Sequence, residues 1–350
     1  MGIIGSLLSG IVSLAIFCAS ATVVLAIVVP FIGIVVRFRV NYNPRALSLG
    51  PGGDAIGIPD GGEDGRVVGP RVTSLLGMFL RVRRIEGWRG LYKGYMPLLL
   101  YTMGNTLFSL VWIGSSPHSP KGGYSIPRSS MFQSLVYALF MSFIALPFGI
   151  LTNRAITTPH KLPMFAPRVS LKLLLTAYER RRPWILYFTP GLLIAQALHV
   201  VFVTVIFRIV RVLLVPALAY GLDGAEEDGT LNKISTVKLS FFILFQALAG
   251  TAILCPLEVV SERLSIQRNY TPGAEFEEED AELAAAQAGE TGVEYIGQGE
   301  DVLNLRSASG EEPYKGLRHT LNRIMEEEGV TTLFRAWWLT MLGAVLSGLA

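Results

Sequence analysis

The feature that most constrains the fold of this chain is its set of six long apolar segments. They cover residues 3–36, 95–115, 130–158, 186–218, 237–266 and 333–350. A helix needs about 20 apolar residues to cross the hydrocarbon core of a bilayer. Only 16% of the residues are charged, whereas soluble domains contain about 25%. The pattern therefore predicts an all-α membrane protein with six transmembrane helices.

The first apolar segment is predicted to remain in the membrane. It has no basic stretch before it, and it exceeds the roughly 7–15 apolar residues of a signal peptide. Lys and Arg residues concentrate in the connections that follow the first, third and fifth segments. Because basic residues near helix ends favour one side of a membrane, these three connections are predicted to share one compartment. An even number of spans then places both termini on the opposite side.

Three amphipathic stretches and two long loops lie within these connections. The amphipathic stretches run from Val72 to Ile85, from Ser170 to Tyr178 and from Gly316 to Met325. The loop 43–69 is rich in Gly and Pro, and the segment 271–312 is acidic and rich in Ala and Gly. Because the segment 271–312 has few aromatic residues and no apolar periodicity, we predict a disordered insert there. Both segments offer room for a protein partner.

An internal repeat relates the odd-numbered segments to one another. Each carries a proline that is followed seven residues later by an arginine: Pro30 and Arg37, Pro147 and Arg154, Pro256 and Arg263. The connections then end on related phrases, which cover 86–94, 182–187 and 328–336. Internal repeats are a strong signal of architecture. We therefore predict three repeats, at 1–115, 129–218 and 236–350, in a threefold pseudosymmetric arrangement.

These motifs resemble the signature of the mitochondrial carrier family. That signature reads Pro-x-acid-x-x-base-x-base, followed later by acid-Gly and then by aromatic-base-Gly. The residues 256–263 and the phrase 86–94 match it most closely. The resemblance implies a six-helix barrel with short amphipathic helices on the matrix side, in a multi-pass protein of the mitochondrial inner membrane. Some divergent relatives reside in the outer membrane instead.

The chain departs from this signature at the positions that form the family's salt-bridge ring. The resemblance assigns the following residues as remnants of the matrix gate: Pro30, Arg37, Pro147, Arg154, Pro256, Glu258 and Arg263. The three acid positions hold Ile32, Gly149 and Glu258, and the three base positions hold Val35, Thr152 and Ser261. Because five of the six positions are uncharged, no complete salt bridge is expected among them. The three arginines, alternatively, extend towards lipid headgroups at the interface.

The resemblance also implies where a substrate would bind. Alignment on the phrase before each even helix places the contact points at Tyr101, Gln196 with Ala197, and Gly343. Asn105 and His199 are polar neighbours on the same helices and complete the candidate set. Since none of the family contact points is charged here, we expect a small solute that is neutral or weakly polar. A lone histidine in an apolar helix is alternatively a partner in an interhelical hydrogen bond.

Residues at the start of two even helices are candidates for binding lipid. In family members, similar residues hold cardiolipin. The candidates are Tyr92, Lys93, Gly94, Phe334 and Arg335. Free backbone N–H groups and the helix dipole at a helix N-terminus favour a phosphate group. Helix capping and anchoring at the interface are the alternative role of these residues.

The sequence gives no sign of enzymatic chemistry, a metal site or a cofactor. Cys18 and Cys255 lie in separate apolar segments, and the four histidines have no metal-ligand spacing. A formal net charge of +3 is too small to predict nucleic acid as a partner. Two functions fit the remaining features. One is transport of a solute by alternating access, and the other is a non-transporting scaffold of the outer mitochondrial membrane that acts in fusion or lipid organisation.

Overall fold

The computed structural model describes residues 3–44, 67–68, 72–114, 131–163, 166–216, 235–270, 300–306 and 312–349. Its first half comprises α1 (Ile3–Val40), β1 (Val67–Val68), α2 (Leu75–Ile85), α3 (Gly87–Leu91), α4 (Tyr95–Gly114), α5 (Met131–Thr157), α6 (Pro167–Leu174) and α7 (Ala177–Arg181). Its second half comprises a 3-10 turn (Pro183–Phe188), α8 (Leu192–Val201), a π turn (Phe202–Ile206), α9 (Phe207–Leu214), α10 (Thr236–Ile266), β2 (Glu300–Asp301), α11 (Leu317–Glu327), a 3-10 turn (Val330–Phe334) and α12 (Trp337–Leu349). The described residues are therefore mostly helical, as the apolar pattern predicts.

Four helices among the described residues are long and apolar enough to cross a membrane. They are Ala15–Val40, Met131–Thr157, Leu192–Leu214 and Thr236–Ile266. The third of these joins α8, the π turn and α9 end to end. The four helices fall in the first, third, fourth and fifth apolar segments. They agree with an all-α membrane protein.

The second and sixth apolar segments hold α4 and α12. The helix α4 has 20 residues and α12 has 13. At about 1.5 Å per residue, α12 extends roughly 20 Å, which is less than the ~30 Å thickness of a bilayer core. Six complete spans and a threefold repeat therefore remain predictions.

The long helices pack against one another in chain order. The helix α1 packs on α4, α4 on α5, α5 on α8, α8 on α10, and α10 on α12. Large apolar side chains remain exposed on their outer faces, including Phe31, Phe132 and Leu213. Exposed apolar surface of this extent is expected where lipid replaces water as the solvent. The helix α1 also packs on α10, so the long helices form one bundle.

Short amphipathic helices lie where the sequence predicts them, against the ends of the long helices. In α2, Met78 and Val82 are buried against Ile34 and Phe38 of α1. The helix begins at the cap residue Ser74, whose hydroxyl oxygen accepts a hydrogen bond from the Gly77 N–H at 3.0 Å. Corresponding short helices, α6 with α7 and then α11, follow α5 and α10. They build a second layer over one end of the bundle.

Part of the insert that the sequence predicts to be disordered lies among the described residues. Most of 271–312, and residues 45–66 of the loop 43–69, lie outside the described residues. Residues 300–306 are described, and β2 pairs in parallel with β1. Val302 and Leu303 are buried beside Met78 and Val82 of α2. This short apolar stretch of a mostly acidic segment thus packs on a helix that is distant in the sequence.

Candidate binding cavity

The arginine of each proline motif forms a buried ion pair with a glutamate. The paired atoms are Arg37 Nη2 and Glu86 Oε2 at 2.7 Å, Arg154 Nη1 and Glu179 Oε2 at 2.6 Å, and Arg263 Nη2 and Glu328 Oε2 at 3.1 Å. The arginine side chains are only 1%, 4% and 3% exposed. These arginines therefore do not extend to a lipid interface. Each of them fixes the chain that follows its long helix against the end of that helix.

The carboxyl-terminal ends of α1, α5 and α10 contact one another near these ion pairs. Arg263 Nε donates to the Arg39 carbonyl oxygen at 3.1 Å, which joins α10 to α1. Asn153 Nδ2 donates to Ser265 Oγ at 2.8 Å, which joins α5 to α10. Ile156 of α5 packs with Val36 and Val40 of α1, which adds an apolar contact. The bundle is thus closed at the end that carries the three arginines.

Arg39 forms the polar link that sequence analysis did not identify. Its guanidinium donates from Nη2 to Glu258 Oε2 at 2.6 Å and from Nη1 to Glu262 Oε1 at 2.7 Å. Nη2 also donates to Thr340 Oγ1 at 2.8 Å, and Nε donates to the Arg335 carbonyl oxygen at 3.3 Å. Glu258, the single remaining acid of the ring, therefore has a basic partner outside the six motif positions. Glu258 and Glu262 are four residues apart and therefore share one face of a helix. That spacing was the sequence signal that could have pointed to a shared basic partner.

A cavity of about 1100 Å³ lies beside this cluster. Of the six predicted substrate contacts, Gln196, His199 and Gly343 line it. His199 Nε2 lies 3.5 Å from Glu258 Oε1. Three elements thus contribute to one polar surface at the inner end of the cavity: α1 by Arg39, α8 by His199 and α10 by Glu258.

The other three predicted contacts lie elsewhere. Tyr101, Asn105 and Ala197 are not among the residues that line the cavity. The ring of Tyr101 lies 6.0 Å from the ring of Phe148, between α4 and α5. The cavity is therefore displaced from α4 towards α1, α10 and α12.

Lys93, a predicted lipid ligand, is engaged inside the protein. Its Nζ donates to Glu86 Oε1 at 2.5 Å and to the Thr158 carbonyl oxygen at 2.6 Å. Burial lowers the pKa of Lys93 to about 8; Glu86 opposes that shift and Arg37 reinforces it. Gly94 follows with a positive φ of 83°, close to Thr152 and Ile156.

Arg335, another predicted lipid ligand, is also occupied. Its Nη1 donates to the carbonyl oxygens of Asn41 and Phe38, and Nη2 donates to Glu328 Oε2 at 3.2 Å. Among the other candidates, Tyr92 and Phe334 pack at the edge of separate apolar clusters. Lipid binding at these positions stays a prediction. The contacts show that both charged side chains have protein partners at the closed end of the bundle.

Within the described residues, no three His, Cys, Asp or Glu side chains come together as a metal site. Comparison with known proteins finds no matching family model, no similar curated protein and no similar solved structure. The family resemblance of the motifs therefore remains a prediction, and the geometry of the cavity carries the functional argument.

Proposed function

We propose that this chain is a divergent carrier of the mitochondrial type, which moves a small organic solute across a membrane by alternating access. The observation that carries the proposal is the convergence of Arg39, His199 and Glu258 on one cavity, with N–O distances of 2.6 and 3.5 Å to the two oxygens of Glu258. These side chains come from three different predicted repeats. A carrier needs such convergence, because its repeats must move against one another around a shared site.

The closed end of the bundle supports the same proposal. The ends of α1, α5 and α10 contact one another, and Arg39, which lines the cavity, adds a link from α1 to α10 and α12. In the proposed cycle these contacts break when the cavity opens to the arginine-rich side. Polar links of this kind suit a gate, since they exchange for hydrogen bonds to water. We extend the proposal to a mitochondrial membrane, and to the inner one, on the family resemblance alone.

Thermal unfolding of the detergent-purified protein against a metabolite library tests this function. A ligand that binds the folded state at a hundredfold excess over its Kd stabilises it by about 2.7 kcal/mol. Any stabilising compound is then tested for uptake into proteoliposomes. We expect saturable uptake that is lost in Gly343→Leu, because Gly343 lines the cavity and has open space beside it.

Gly104→Leu is the matched control, since Gly104 of α4 also has open space and does not line the cavity. It should retain uptake. Absence of both stabilisation and uptake across the library would overturn the transport proposal. That result would favour the scaffold function, in which the polar cluster serves only to hold the helices together.

A further inference from the structure

The cavity extends to the lipid-facing side of the protein. Phe31 lines it and belongs to the exposed stripe Val24, Ile27 and Phe31 on α1, spaced as on one helical face. On the other side Trp338 lines it and is also exposed on α12. Phe31 is 67% exposed and Trp338 is 48% exposed. Leu76 of α2 and Trp88 of α3 also line the cavity and are 69% and 61% exposed. The mouth therefore runs from the groove between α1 and α12, where hydrocarbon chains of the bilayer have access, to the layer of short helices.

The wall between this mouth and the inner end is apolar. It is formed by aliphatic and aromatic side chains of α1, α2, the π turn, α10 and α12. They include Ile34, Val35, Leu75, Phe79, Val203, Leu254 and Leu339. Such a wall stabilises a hydrocarbon body by about 25 cal/mol for each Å² of apolar area buried. The volume of about 1100 Å³ is sufficient for one drug-sized molecule.

The inner end offers hydrogen-bond acceptors and a surplus of negative charge. One guanidinium, that of Arg39, faces two carboxylates, those of Glu258 and Glu262, on the cavity wall. Four of its five N–H donors are directed at protein oxygens, and its side chain is only 5% exposed, so it presents little of its charge to the cavity. Glu262 Oε2 is buried and has no hydrogen-bond partner. The Glu258 side chain is 27% exposed and the Glu262 side chain 14%, so the carboxylate of Glu258 is the more accessible of the two to a bound donor.

The neighbouring charged residues do not change the excess of carboxylates over cations at the cavity wall. Arg263 and Arg335 both pair with Glu328, and none of the three lines the cavity. His199 lines it and shares Glu258 with Arg39. An anionic head group would therefore meet two carboxylates without a free cation. A head group with N–H donors and positive charge would meet complementary atoms.

From these observations we infer that the cavity binds a single-chain amphiphile with a primary ammonium head and a hydrocarbon body, which enters from the bilayer between α1 and α12. The ammonium lies at Glu258 and Glu262, and the chain lies along the apolar wall towards Phe31 and Trp338. This inference rests on the proposed function, because it names the class of solute for the same cavity. It replaces the neutral solute expected from the sequence by a cationic one.

Quenching of tryptophan fluorescence tests the inference with the full chain in nonionic detergent. The probes are 12-bromododecylamine and 12-bromododecanoic acid, whose bromine quenches the two tryptophans that line the cavity, Trp88 and Trp338. We expect the amine to reach half-maximal quenching at a concentration at least tenfold lower than the acid. Glu262→Gln should reduce this preference to less than threefold, and Glu312→Gln, an exposed control, should retain it.

Gly343→Leu keeps the charged cluster and fills the cavity, so it tests the site even where Glu262→Gln fails to fold. It should abolish saturable quenching, whereas Gly104→Leu should not. Equal quenching by amine and acid, or an amine preference that persists in Gly343→Leu, would overturn the inference. If a different solute is taken up and the amine is not preferred over the acid, this inference is wrong and the transport proposal stands. If the amine binds saturably but no uptake is found, the transport proposal is wrong and this inference stands.

Discussion

Arg39 Nη2 on α1 lies 2.6 Å from Glu258 Oε2 on α10, across a separation of 219 residues in the chain. The same carboxylate oxygen accepts a hydrogen bond from Thr340 Oγ1 of α12 at 2.6 Å. The Arg39 guanidinium, at the inner end of the cavity, thus bonds to four residues that are distant in the sequence: Glu258, Glu262, Arg335 and Thr340. The integrity of this end depends on the shape of the arginine side chain as well as on its charge.

Replacement of Arg39 by lysine should destabilise the protein although it keeps the charge. An ammonium group cannot reach both glutamates and Thr340 in the fork geometry of a guanidinium. We expect a loss of about 2–3 kcal/mol, because hydrogen bonds to charged groups contribute about 1.5–3 kcal/mol each. Thermal unfolding in detergent measures the effect, and Arg318→Lys at an exposed position of α11 is the control. Equal melting temperatures for the two variants would argue against a multidentate role.

Removal of one partner of the Arg154–Glu179 pair should destabilise the protein more than removal of both partners. Two parallel hydrogen bonds of 2.6 and 2.8 Å join the side chains, and Glu179 also completes the capping box of Thr176. Burial alone would raise the pKa of Glu179, but the hydrogen bonds and charge of Arg154 outweigh burial and lower it. Removal of one partner leaves a buried charge unpaired, which costs about 3–5 kcal/mol. We expect this loss for Arg154→Met.

The double variant Arg154→Met with Glu179→Gln should recover part of the loss, since no unpaired charge remains. Arg180→Gln, on the exposed neighbour, should change stability little. Because the pKa of Glu179 is lowered in the folded state, its ionisation stabilises the protein above the ordinary carboxyl pKa of 4.5. That contribution is lost as pH falls below this value. A double variant as unstable as Arg154→Met would contradict the explanation.

Lys93 should make stability depend on pH in the alkaline range. Burial lowers its pKa from 10.5 to about 8 in the folded protein, so between these values the unfolded chain binds more protons. The free energy of unfolding therefore gains a contribution that rises from about pH 8 to 10.5. Melting temperatures of wild type and Lys93→Met should diverge over this range, in favour of wild type. With Lys172→Met, an exposed control, a similar divergence would refute the assignment to Lys93.

Gly250 should be intolerant of even a methyl group. It lies in α10 where α12 crosses, and an added Cβ would be 2.7 Å from the Ala344 Cβ. Gly250→Ala must therefore separate the two helices, and overpacking of this kind costs about 1–3 kcal/mol. Gly149→Ala in α5 is the matched control, because an added Cβ there meets nothing within 4 Å. Thermal unfolding should rank Gly250→Ala clearly below wild type and Gly149→Ala near or above it.

The second repeat illustrates how much of the site could be predicted. Its closing phrase, 182–187, lacks the acid that precedes glycine in the other two repeats. The structure supplies Glu179, three residues upstream of that phrase, as the partner of Arg154. The pattern Thr176-x-x-Glu179 was readable as a helix start, so the short helix was predictable. The ion pair was not, because a capping box does not reveal what else the carboxylate contacts.

The positions of the four long apolar helices could be read from the sequence, because an apolar segment in a bilayer must satisfy its backbone hydrogen bonds within a helix. The common spacing of proline and arginine was also visible there, but the burial of the three arginines against glutamates was not. The tertiary structure was needed to show that Arg39 meets Glu258 and Glu262, that Tyr101 lies away from the cavity, and that Val302 packs on α2. Those contacts depend on the rotation and tilt of each helix against its neighbours. Periodicity in a single chain does not specify either quantity.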